Sequence, residues 1–244
     1  MDTASVAVRA RIGMIVPSAN RLVEPHLARY LPAGTVGHVT RLRMTGAHRM
    51  ETGALLPRVA GAAAALADAG CDPVIFQCTA NAMRAGLAAE REIVAAIAQA
   101  TGGRAATTAS ATLAALAALG ARRIVLVSPY AQPTHDHELR FMAEAGIEVV
   151  ADRALDIRPL DSAPPAFWVD AVIALRHPQA DAYFASCANI HAIDATERLE
   201  AALDRPVLTS NQVAIWHALR LAGIDDPVPG LGRLFAVRAA ADAV

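Results

Sequence analysis

The feature that most constrains this chain is an alternation. Short β-branched runs are followed, again and again, by longer alanine-rich stretches with apolar residues at helical spacing. Parallel strands need a crossover between them, usually a helix, so the pattern predicts βα units around parallel sheet. The expected strands are Arg11–Val16, Gly37–Arg43, Pro73–Gln77, Arg104–Thr107, Arg123–Val127, Glu148–Ala151, Ala182–Ser186 and Pro206–Leu208. The expected helices are Val23–Tyr30, Leu55–Ala69, Glu90–Ala100, Ala109–Leu119, Thr134–Ala145, Phe167–Leu175, Ala195–Leu203 and Gln212–Leu221. Gly70, Gly120, Gly146 and Gly223 each close an apolar helical run, where a left-handed cap belongs. Thr134, just after Pro133, is the expected N-cap of its helix.

A faint repeat runs through the pattern. Arg11-Ile-Gly-Met-Ile-Val-Pro17 lies over Arg123-Ile-Val-Leu-Val-Ser-Pro129. Cys78 and Cys187 then occupy nearly the same place in each copy, each just past an apolar strand. The expectation is an α/β fold of two similar parallel-sheet halves related by a pseudo-two-fold, with the active site in the cleft between them. The halves are expected at residues 1–120, carrying Cys78, and 121–244, carrying Cys187, with a C-terminal segment able to cross back.

Composition narrows the chemistry. The chain of 244 residues has 22 basic residues, every one of them Arg. Without Lys there is no Schiff base, no phosphate-loop Lys and no covalent pyridoxal phosphate. A formal net charge of −1 and 4% aromatic content argue against a nucleic-acid partner. No stretch approaches the 18 or so apolar residues of a membrane span, and no leader-like run opens the chain. Three Cys, an odd and low number, read as reduced thiols in a cytoplasmic chain. No cofactor fingerprint and no metal-ligand spacing stand out.

In a parallel sheet, ligands bind beyond the carboxyl ends of the strands, where Cys78 and Cys187 fall. Each is trailed by small and polar residues, Thr79-Ala80-Asn81 and Ala188-Asn189, which let backbone N–H groups approach an anion. A helix starting after each Cys would favour a thiolate. One thiolate can attack carbon or take a proton while the opposite thiol delivers one. The bland alternative is that a strand-end Cys is a small buried filler. Two at equivalent ends, each followed by an Asn, favour function; Cys71, at the opposite end of its strand, is assigned to packing.

Asn20, in Pro17-Ser-Ala-Asn20, is either a helix cap or a carboxylate holder. Tyr130 either packs or donates to a carboxylate or enolate. Thr79 either caps a helix or touches substrate. His135 and His137, two apart, face different ways on a helix and read as a solvated helix start. The remaining histidines, His48 among them, are scattered; His191 stands close enough to Cys187 to support it from behind.

At these residues the sequence resembles the aspartate/glutamate racemase superfamily, in the branch of arylmalonate decarboxylase and maleate cis-trans isomerase. The resemblance runs from Arg11 to Phe235. It rests on Ile15-Val-Pro-Ser-Ala-Asn20, Ala121-Arg-Arg-Ile-Val-Leu-Val-Ser-Pro-Tyr130, Gly146-Ile-Glu-Val-Val150, Arg153-Ala-Leu-Asp-Ile157 and Pro229-Gly-Leu-Gly-Arg-Leu-Phe235. It implies that Cys78 is a nucleophile adding to a double bond and that Cys187 gives and takes the proton. It implies that Asn20 and Tyr130 hold a carboxylate, and that Thr79 and the backbone after Cys187 stabilise an oxyanion. The decarboxylase keeps only the second-half Cys, so Cys78 points away from plain decarboxylation. The chain departs from the isomerase at Arg158-Pro-Leu-Asp161, where that enzyme carries a substrate-binding Asn.

The expected function is a cofactor-independent isomerase of a small carboxylic or dicarboxylic acid, of the maleate type. The alternatives are a two-thiol racemase acting beside a carboxylate or amide, an arylmalonate-decarboxylase-like enzyme, and a non-catalytic module that binds a small acid. The apolar content leaves room for a homodimer interface.

Overall fold

The computed structural model describes residues 7–44 and 50–238; His48 lies outside them. Two four-stranded parallel sheets carry the fold. The strands are β1 (Ala10–Pro17), β2 (Thr35–Leu42), β3 (Val74–Phe76) and β4 (Ala105–Thr107) in one sheet. β5 (Arg123–Ser128), β6 (Glu148–Ala154), β7 (Ala182–Ala185) and β8 (Val207–Thr209) form the other. Their orders are β2-β1-β3-β4 and β6-β5-β7-β8, the same arrangement twice. The repeat legible in the sequence is therefore a repeat of topology. All eight expected strands form.

The helices are α1 (Val23–Tyr30), α2 (Thr52–Asp68), α3 (Thr79–Met83), α4 (Gly86–Thr101), α5 (Thr108–Ala118), α6 (Gln132–Glu144), α7 (Pro165–Ile173), α8 (Thr196–Leu203) and α9 (Ser210–Leu221). α3 is the one helix not expected; five residues are too short to show a period. The N-cap expected at Thr134 is corrected. α6 starts at Gln132 with Ala131 as its cap, and Pro133 sits in the first turn, where a missing N–H is harmless. Gly70, Gly120, Gly146 and Gly223 do hold left-handed φ angles of 64–73°.

β1, β3, β5 and β7 are almost wholly buried, because helices cover both faces of each sheet. Ile12, Ile15, Ile75 and Phe76 in the first sheet, and Val125, Leu126 and Tyr183 in the second, are at most 1% exposed. Equivalent helices α5 and α9 pack on one another, and α9 also reaches α1 and β3. Both open with a capping box at the end of the preceding strand. Thr107 pairs with Ser110, and Thr209 with Gln212. Arg9 pairs with Asp226 at 2.5 Å, and Arg104 donates to the Leu221 carbonyl, so the last segment is tied to the first sheet. Among the described residues no helix is long and apolar enough to cross a membrane.

Candidate active site

The carboxyl ends of β1, β3, β5 and β7 converge on one small pocket with a cavity volume of about 50 Å³. Its walls are Pro17, Ala19 and Asn20 after β1, Gln77, Cys78 and Thr79 after β3, and Tyr130 after β5. Leu160 and the run Cys187, Ala188, Asn189 complete it. Both thiols line this single space, although they are remote along the chain. β3 and β7 are flanked on both sides in their sheets, so the loops that leave them open toward the middle of the molecule.

Neither thiol is in a disulfide, and both are buried, 3% and 4% exposed. Burial pushes each up to about 12. Smaller effects oppose it. The Asn81 amide donates to the Cys78 sulfur, and the Tyr130 hydroxyl and Asn189 amide donate to that of Cys187, the latter at 3.4 Å. The thiols are close enough that charge on Cys187 raises Cys78. The expected helix dipole exists at one thiol only. α3 follows Cys78, whereas a turn and a 3-10 segment, His191–Ala195, follow Cys187.

The backbone at Cys187 is strained, with φ at +120°, a region that L residues seldom occupy. Its neighbours hold it there. Ser210 Oγ accepts from the Cys187 amide at 2.9 Å and from the Thr79 hydroxyl at 2.9 Å. The Ala188 carbonyl accepts from Asn20 Nδ2 at 2.9 Å and from Asn211 Nδ2 at 3.0 Å. Gln77 Nε2 donates to the Ser210 carbonyl and to Asn211 Oδ1. The first-half loop and the start of α9 thus clamp the second-half loop.

The alternatives left open in sequence are partly resolved by this geometry. Asn20 Oδ1 accepts from the amides of Leu22 and Val23, so Asn20 organises the turn into α1 and lines the pocket as well. Tyr130 is 6% exposed and bonds Cys187. Asn189 lines the pocket and accepts from the Arg21 amide. Ala80 and Asn81 do not line it. Ala80 packs in the core, and Asn81 Nδ2 points to the Met50 carbonyl at 3.4 Å. Cys71 is a buried packing residue beside Gly13.

The reading of His135 as part of a solvated helix start is overturned. His135 is fully buried, with Nδ1 2.7 Å from Ser128 Oγ and Nε2 3.0 Å from Asp152 Oδ2. One turn on, Glu138 is also fully buried and accepts from Ser186 Oγ. Burial raises its carboxyl to about 8. His135, Glu138, Phe141 and Met142 form the inner stripe of α6, a spacing visible in sequence once the helix is placed.

Gln77, Leu160, Ser210 and Asn211 were also not singled out from sequence. Gln77 carried a usable signal, being a polar residue that ends an apolar strand just before a Cys. The trio His26, His191 and Asp194 brings ligand atoms within 4.8 Å. Two of its members are already engaged: Asn211 Nδ2 donates to His26 Nδ1, and Tyr30 and Arg29 both donate to Asp194.

The chain is similar along most of its length to proteins of known activity and structure. The family model described as arylmalonate decarboxylase matches residues 12–235. A maleate isomerase from Pseudomonas putida is 30% identical, over 92% of this chain and 96% of its own length. A solved cysteine variant of arylmalonate decarboxylase, in a sulfate-associated form, superposes with a TM-score of 0.85 at 30% identity, covering 93% of this chain and 99% of that one. A cysteine-to-serine variant of Nocardia farcinica maleate cis-trans isomerase, with a covalently bound succinylcysteine intermediate, superposes at 0.83 with 26% identity, covering 93% and 98%.

Proposed function

Because the chain belongs to the arylmalonate decarboxylase family, and is an isomerase within it, we propose that its pocket converts the cis double bond of maleate, or a close homologue, to trans by two-thiol chemistry. The observation that carries this reading is that Cys78 and Cys187, from equivalent strands of the two sheets, line one pocket.

The steps follow from the groups present. The Cys78 sulfur, as thiolate, adds to one alkene carbon, and the electron pair moves toward the neighbouring carboxylate. The Cys187 thiol delivers its proton to the adjacent carbon, leaving a Cys78 thioether and a carbon–carbon single bond. That bond rotates. The Cys187 thiolate takes the proton back, the carbon–sulfur bond breaks, and the trans acid leaves with Cys78 again a thiolate. Tyr130, Thr79 and the amides near Cys187 face the carboxylate that gains charge. Asn20 and Asn189 hold the rim. Thiols outside any disulfide suit a reducing compartment such as the cytoplasm. The sequence halves, 1–120 and 121–244, then act as two arms that each present one thiol.

The test is incubation with maleate while fumarate is followed by proton NMR. Fumarate formed at a rate proportional to enzyme supports the reading; no turnover at high enzyme concentration rejects it. A second reading is favoured by Leu160, which puts an apolar wall in the pocket, while Asp161 is taken up by Arg21 at 3.2 Å. It is proton exchange beside a single carboxylate, and deuterium wash-in at that carbon from heavy water separates the two.

A further inference from the structure

The two halves are alike in topology but not in what lies behind their thiols. The residue before Cys78 is Gln77, a neutral amide bonded to Thr108 Oγ1 at 2.8 Å and to Asn211. The residue before Cys187 is Ser186, whose hydroxyl donates to the carboxyl of Glu138. Glu138 is fully buried, and its second oxygen, Oε2, has no hydrogen-bond partner among the described residues. Charge on this carboxyl raises both Cys187 and Tyr130; no such influence reaches Cys78.

We propose that Glu138 is a positioning residue which, when ionised, keeps the proton on Cys187 and so leaves thiolate character to Cys78. It acts through Cys187 and Tyr130 and touches no substrate. The proposal deepens the two-thiol reading, since it rests on Cys187 being the proton-carrying thiol. A buried anion beside one of two coupled thiols disfavours a second anion there more than at the farther one.

The surroundings of Glu138 are few. On its own helix His135 Nδ1 stands 3.8 Å from Oε2. From β6 comes Asp152, bonded to His135 and 40% exposed, so that Asp152 and His135 lead from solvent to the buried acid. From the β5 side come Ser128 and Tyr130, and from β7 come Ser186 and Cys187. α3, packed across α6, is Thr-Ala-Asn-Ala-Met and carries no ionisable group. α4 also packs on α6; its Glu90 is bonded to Thr107 Oγ1, and its first turn is held by Glu144 at Leu87. Burial, opposed in part by the hydrogen bond from Ser186, raises the Glu138 carboxyl to about 8.

The test is iodoacetamide labelling of wild type and Glu138→Gln, resolved by peptide mass spectrometry at pH 6.5 and 9.5. At the lower pH both proteins carry a neutral group at 138, and Cys187 should label at the same rate in each. At the higher pH Cys187 should label about ten-fold faster in Glu138→Gln, with Cys78 changed less than about two-fold. Equal rates for Cys187 at both pH values overturn the proposal. So does acceleration of both thiols at both pH values, which is what a loosened structure produces. If the variant does not fold, the wild type alone decides. The side-chain carboxyl carbon of Glu138, followed by 13C NMR, should titrate near pH 8, and a carboxyl ionised already at pH 6 contradicts it. These readouts concern thiols and a carboxyl, so a substrate other than maleate leaves them intact.

Discussion

At the scale of single residues, the proposed reaction divides one task between the two thiols, and their replacement should separate the parts. Cys78→Ala removes the nucleophile and should bring maleate turnover to background. Cys187→Ala removes the proton carrier and should lower kcat/KM by roughly 10²–10⁴-fold, the usual worth of a positioned acid–base group. A Cys187→Ala enzyme within a factor of two of wild type would remove Cys187 from the chemistry. Burial holds both sulfurs up at about 12, so the attacking thiolate is a minor form at neutral pH. The sign follows: deprotonation is needed, so kcat/KM should rise with pH, close to ten-fold per unit between about pH 6 and 8. A flat profile over that range would mean that the thiolate is already formed. Cys78 and Cys187 were legible in the sequence because each follows a recognisable strand. Glu138 and His135 were not, because the inward stripe of α6 carries two ionisable groups where apolar ones are the rule. His137, two residues from His135, made the pair look like a solvated cluster.

At the scale of elements, strand ends and helix starts set the geometry, and they are the places to perturb it. A Cβ on Gly13 of β1 would stand 3.0 Å from Val74 Cγ2 and 3.1 Å from both Cys71 Cβ and Leu66 Cδ1. Gly13→Ala should therefore cost about 1–3 kcal/mol by overpacking, read from urea midpoints; an unchanged midpoint would show that α2 shifts freely. Thr209→Ala removes the side-chain half of the α9 capping box and should cost about 1 kcal/mol. Because α9 begins with Ser210 and Asn211, which hold the Cys187 loop, the same variant should also lower kcat. A loss of stability with kcat unchanged would show that the loop keeps its shape without the cap. The inner strands β1, β3, β5 and β7 were predictable to within a few residues because burial on both faces leaves largely apolar runs. The loop after Cys187 was not predictable. Its shape is set by bonds from Asn20, Ser210 and Asn211, partners that no local pattern reveals.

At the scale of the whole molecule, the repeated sheet order and the packing of α5 on α9 make one pocket from two halves. Stability should depend on pH through groups buried at this centre. His26 and His217 are held near 4 in the fold, against 6.5 when unfolded, mainly by burial. Unfolding lets them take up protons, so their contribution is complete above about pH 6.5 and is lost as pH falls through about 4. Each loss amounts to about 3 kcal/mol. His217→Phe should blunt the fall in Tm between pH 7 and 4.5; an equal fall in both proteins would assign the acid sensitivity elsewhere. Glu138, raised from 4.5 to about 8, works in the other sense, its contribution present at low pH and lost as pH rises through 8. The duplication and the meeting of the two thiols were legible from the matched positions of Cys78 and Cys187. The crossing of α9 onto the first half was open in sequence, since its apolar face fits either half. What most directly tests the convergence of two thiols on one reacting bond is trapping. Cys187→Ser incubated with maleate should gain the mass of one maleic acid, and peptide mapping should place it on Cys78. An adduct on Cys71, or full fumarate production with no adduct and no loss of rate, would contradict the account.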